Sequence, residues 1–92
     1  MRPYVDVQGK KLLKNEVAAV IREMQKARRT GPTFVQRRFG MGYGKAMRIV
    51  ELLEDAGVLS LYGPSDRPRV MLLKTEDAAI NAALRQLKRG KK

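Results

Sequence analysis

The sequence contains no cysteine and no histidine. Without thiolates or imidazoles the chain can build neither a disulfide framework nor the usual zinc sites, and no Ser-His or Cys-His nucleophile. Aromatic residues are scarce, at 5%, which disfavours an RNA reader that stacks bases on an aromatic platform. No apolar run approaches the ~20 residues of a membrane span, and charges run through Met1 to Leu13. The expected setting is therefore the cytoplasm, without signal peptide or membrane anchor. Acids are few as well: 9 Asp and Glu stand against 20 Lys and Arg, for a net charge of +11. Such a field attracts polyanions, nucleic acid foremost. No enzyme, metal or cofactor is expected.

At 92 residues, 43% of them hydrophobic, the chain suffices for one compact domain and not for two independent cores. So short a chain buries a modest share of its surface, and a partner subunit is a natural supplement.

The pattern along the chain divides it into an N-terminal arm (1–13), a DNA-binding region (14–74) and a C-terminal helix with a basic tail (75–92). The arm has no strong periodicity and reads as extended and weakly ordered. From Lys14, the residues Val17, Val20, Ile21 and Met24 recur at helical spacing. Thr30-Gly31-Pro32 stops that helix, with glycine expected to take the left-handed closing conformation. Thr33 and Gln36 read as a capping box opening a second, short helix through Phe39. Gly40-Met41-Gly42 is a turn, and a third helix runs from Tyr43 to Gly57 with Ala46, Ile49, Val50, Leu53 and Ala56 on one stripe. Residues 33–57 thus form a helix-turn-helix.

Val58 to Leu61 and Arg69 to Leu73 read as two β segments around a turn-rich loop. The expected fold class is mainly α with a small β-hairpin: a winged helix-turn-helix with an additional C-terminal helix. That last helix, from Thr75 to about Arg89, carries Ile80, Leu84 and Leu87 on one face. The face either packs on the first helix of its own chain or forms a homodimer seam, and the latter is preferred. Lys88, Arg89, Lys91 and Lys92 make a basic tail.

Charge distribution supports nucleic acid as the partner. Between Met24 and Val50 there is no acid, yet the span holds Lys26, Arg28, Arg29, Arg37, Arg38, Lys45 and Arg48. Cations lead the third helix and acids trail it, against the preference of the helix dipole. A recognition helix would have that order, since its front meets bases and phosphates. The glycine-rich Gly40 to Ala46 stretch is no P-loop: Phe39 stands where the first glycine is needed, and Ala46 replaces the Ser or Thr that holds magnesium.

The stretch Val35-Gln36-Arg37-Arg38-Phe39-Gly40-Met41-Gly42-Tyr43, continuing Gly44-Lys45-Ala46-Met47-Arg48 and closing with Ala56-Gly57-Val58, resembles the C-terminal gamma domain of FtsK/SpoIIIE DNA translocases. That family typically reads Ser-x-Val-Gln-Arg-(Arg/Lys), then a turn ending in Gly-Tyr, then a helix. The resemblance covers about residues 28 to 73 and implies a winged helix that recognises short, oriented duplex sequences, here as a stand-alone protein without the motor. Gly44 and Lys45 stand where the family usually has Asn-Arg, and Gly40 where a basic residue is common. Glycine cannot make bidentate base contacts, so DNA binding carries over and the family's target does not.

The expected DNA-binding residues are Arg28, Arg29, Thr33, Gln36, Arg37, Arg38, Tyr43, Gly44, Lys45 and Arg48, with Arg67 and Arg69 on the wing. Arg37 and Arg38 read as backbone clamps, and Lys45 and Arg48 as base-edge contacts. Tyr43 either reaches a phosphate or packs at the helix start. The expected function is sequence-preferring binding of double-stranded DNA, by a transcriptional regulator or a plasmid- or phage-type maintenance or segregation factor. The alternative is a protein-interaction winged helix docking an acidic partner such as a recombinase or polymerase.

Overall fold

The computed structural model describes residues 3–60 and 70–90. Its elements are α1 (Lys14–Ala27), α2 (Pro32–Phe39), α3 (Tyr43–Asp55) and α4 (Glu76–Arg89). The helical repeat that located α1 also fixes its packing: Val17, Val20, Ile21 and Met24 are all buried. They meet Val35 of α2 and Ala46, Ile49, Val50, Leu52 and Leu53 of α3 in a single core that takes in Val58 and Leu59. Each large aliphatic side chain buried there contributes about 1.5–3 kcal/mol.

The ends of the helices differ from expectation. The left-handed residue closing α1 is Arg28, at φ 57°, while Gly31 is extended and serves as the N-cap of α2. Thr33 makes no capping bond, because Pro32 occupies the first helical position. Proline is pre-set for that place, and its missing N–H removes a donor that would otherwise need a cap. α3 stops at Asp55, and Gly57, at φ 78°, turns the chain so that the Val58 N–H reaches the Leu53 carbonyl.

The N-terminal arm is packed, contrary to the weakly ordered segment expected. Val5 pairs with Lys11 in an antiparallel bridge, Gly9 at φ 83° completes the turn between them, and Tyr4 and Leu12 are buried. The Asp6 carboxylate accepts the backbone N–H of Gln8 at 2.8 Å and of Lys10 at 3.0 Å. A short loop thus closes on its own acid, an Asx-type turn.

Of the expected wing hairpin, the described residues show a single antiparallel bridge, Leu59 to Met71, flanked by Ser60 N–H to Val70 O and Leu72 N–H to Val58 O. No longer strand forms among them. Val58 and Leu59 are buried on the core, but Val70 and Leu72 point outward, and two strands with so little to cover are weak on their own. Arg67 and Arg69 lie outside the described residues.

α4 packs on α1 of its own chain and also touches α3. Its fully buried residues are Ala79 and Ala83, whose small side chains allow close helix approach. Of the expected seam residues, Ile80 and Leu87 pack partly buried against this same core and Leu84 is half-exposed. The helices run antiparallel, since Arg22 Nε meets Glu76 Oε1 at 2.8 Å at one end, and Lys14 shares a surface hollow with Leu87 and Lys88 at the other.

Candidate nucleic-acid interface

α2 and α3 pack on each other across Gly40 and Gly42, which places the expected helix-turn-helix on one flank of α1. The Gly40 conformation, at φ 63°, sends its N–H back to the Gln36 carbonyl. Gln36 is half-buried at this closing turn, and Thr33 is exposed in the first turn of α2. On α3, Tyr43 is 51% exposed and Arg48 is exposed, with Met47 half-buried nearby on the helix.

The cations of the acid-free stretch fall into two groups. Arg38 Nε donates to Glu23 Oε1 at 2.7 Å, and the Lys45 ammonium is bound to the Glu16 carboxylate. Lys45 is only 28% exposed at its side chain, so it acts first as a tie between α3 and α1. Arg48 lies 3.6 Å from Glu51, a loose surface pair that costs little to break. Arg28, Arg29 and Arg37 are exposed and form no ion pair among the described residues.

The N-terminal turn lies against the start of α3. A Cβ added to Gly44 would run into Val7 Cγ1, so glycine lets the N-terminal turn lie close against α3, and a larger residue there requires the Val7 side chain to shift. Asp6 lies on the same side. Its carboxyl is held below the usual range by the Lys10 backbone N–H first, then by that of Gln8 and the Lys45 and Lys10 charges. Gly44 is thus explained by close packing, and Lys45 stands between Asp6 and Glu16. Sequence reasoning missed this turn; Asp6 and Gly9 bracketing Val7-Gln8 were its signal.

At the other end of α3, the Tyr4 hydroxyl donates to Asp55 Oδ2 at 2.7 Å and accepts from Gln86 Nε2 at 3.0 Å. Burial, reinforced by the Asp55 bond and charge and partly opposed by the Gln86 bond, pushes the Tyr4 phenol up to about 12. The trailing acids of α3 therefore have structural work, with Asp55 held by Tyr4 and Glu51 near Arg48. Charge order along the helix is thus not explained by a DNA groove alone.

No group of acidic side chains fit to hold a metal ion occurs among the described residues, and no helix there is long and apolar enough to cross a membrane. No curated protein and no solved structure matches the chain. The profile of the FtsK gamma domain matches residues 10–74, more than half of the sequence. It takes in α1, α2, α3 and the Leu59 to Met71 pairing, and stops before α4. With its helix-turn-helix, its exposed arginines and this match, the chain belongs to the FtsK gamma domain family, whose domains bind DNA.

Proposed function

We propose that this chain binds double-stranded DNA with a sequence preference, as a transcriptional regulator or a plasmid or phage maintenance and segregation factor. In this reading α3 enters the major groove through Tyr43 and Arg48, and Arg28, Arg29 and Arg37 hold the phosphates on either side. Arg67 and Arg69, outside the described residues, are assigned to the same backbone contact. Lys45 and Arg38 position α3 and α2 against α1, and exchange a carboxylate for a phosphate only where the DNA approaches closely.

One observation carries the reading. Arg28 holds a left-handed backbone at φ 57°, a conformation that costs roughly 1–2 kcal/mol for a residue with a side chain and almost nothing for glycine. Here the conformation closes α1, with the Arg28 N–H bonding the Met24 carbonyl, and it turns the Arg28 side chain off the end of the helix. Arg28 is exposed and has no ion pair among the described residues, so its guanidinium is open to an anion. A second subunit is not needed for this contact.

Selection from random duplexes, followed by footprinting, tests the proposal. Enrichment of a short motif, and a footprint over it, is the expected result. Absence of both, together with salt-resistant binding to an acidic protein such as a recombinase or polymerase, would replace DNA by a protein partner.

A further inference from the structure

Beyond the helix-turn-helix, a second group of cations gathers at the start of α1 and the end of α4. Two adjoining surface hollows are lined by Lys11, Lys14, Arg85, Lys88 and Arg89, and neither contains an Asp or Glu. All five are exposed, and none forms an ion pair among the described residues. Lys88 and Arg89 suit the negative end of α4, but Lys14 stands in the first turn of α1, where the helix dipole repels a cation. Local helix stability therefore does not account for the group.

This face lies on the side of α1 away from its ion pairs with α2 and α3. Residues two apart on a helix point roughly 160° away from each other at 3.6 residues per turn. Glu16 and Glu23 turn toward α3 and α2, where they bind Lys45 and Arg38. Lys14 and Gln25 lie two positions away from them, and turn toward α4: Lys14 shares a hollow with Arg85 and Lys88, and the Gln25 amide reaches the Leu73 and Lys74 carbonyls. α1 thus stands between the Lys45 and Arg38 ion pairs on one side and the Lys14, Arg85 and Lys88 cluster on the other. The second lies largely outside the matched family segment, since α4 begins after residue 74.

We propose that the α1–α4 face binds the phosphate backbone of a second duplex DNA segment, so that one chain can hold two segments together. This rests on the chain being a duplex binder through its helix-turn-helix. A duplex presents about one phosphate charge per 1.7 Å of axis, a density that an acid-free cluster complements without base contacts. The second contact is therefore independent of sequence and the more sensitive of the two to salt.

The test is capture of a fluorescent duplex by the full chain already bound to a different, bead-tethered duplex. Two variants are compared with the parent: Lys14→Glu/Arg85→Glu/Lys88→Glu, and the gentler Lys14→Gln/Arg85→Gln/Lys88→Gln, with helicity checked by circular dichroism. Both variants are expected to keep binding to the tethered duplex within about threefold. Capture of the second duplex should fall at least tenfold in the charge-reversed variant, and by less in the neutral one. Undiminished capture by a folded variant would overturn the proposal, and would instead indicate bridging through a dimer. Parent protein that binds the tethered duplex but captures nothing at low salt would overturn it while leaving the proposed function intact. Absence of binding to either duplex would remove both. Vesicles of anionic phospholipid that bind the parent through these residues, in place of a second duplex, would assign the face to a membrane surface.

Discussion

The contact of α1 with α3 and the residues that follow α1 treat their cations differently. Near the start of α1, Lys45 of α3 is bound to Glu16 and the turn carrying Asp6 and Val7 lies over Gly44. Near its end, Arg28 and Arg29 are exposed without an ion pair among the described residues, one of them in a strained backbone conformation. The difference teaches that a basic stretch is not one surface. Some of its charges hold helices together, and others remain available for a polyanion.

The packed end can be broken first. Gly44→Ala places a methyl group on Val7 Cγ1, and overpacking of this kind costs typically 1–3 kcal/mol. Val7 is 68% exposed and can move, so the lower part of that range is expected. Urea melts should show a loss of about 1 kcal/mol, recovered when Val7→Ala is added. Full stability of Gly44→Ala would show that the turn does not rest on α3.

A comparable effect is expected at Tyr4, the anchor of the same arm. Tyr4→Phe removes the bonds to Asp55 and Gln86 and should cost about 1 kcal/mol, the usual net worth of such bonds. It also changes the alkaline response. The folded phenol titrates near 12 and the unfolded one near 10, so its contribution is complete below pH 10. It declines as pH rises toward 12, because the unfolded chain ionises first. Thermal melts across that window should fall more steeply for the parent than for Tyr4→Phe, and parallel curves would contradict the assignment.

How far this contrast was legible in the sequence depends on distance along the chain. The helices were readable because Val17, Val20, Ile21 and Met24, or Ile49, Val50 and Leu53, signal their buried faces locally. The ion pairs were not, since Glu16 and Lys45 are 29 residues apart and an acid-free window from Met24 to Val50 leaves upstream carboxylates out of view. Arg28 shows the same limit at a helix end. Glycine propensity pointed to Gly31, yet the chain turned left-handed three residues earlier, and Pro32 displaced Thr33 from the cap. Gly44 had a sequence signal without a meaning: its departure from the family's Asn marked the place where Val7 crosses α3. For α4, the apolar spacing of Ile80, Leu84 and Leu87 was visible, but the alanines just before the first two of them, Ala79 and Ala83, decide the packing.

The most direct measurement is the salt dependence of duplex affinity for the parent and for Arg28→Ala/Arg29→Ala/Arg37→Ala. Each phosphate contact contributes about 0.9 to the log-log slope, so removing these arginines should flatten it by about 3 and weaken binding across all sequences. Equal slopes for the two proteins would contradict the division of charges on which the account depends.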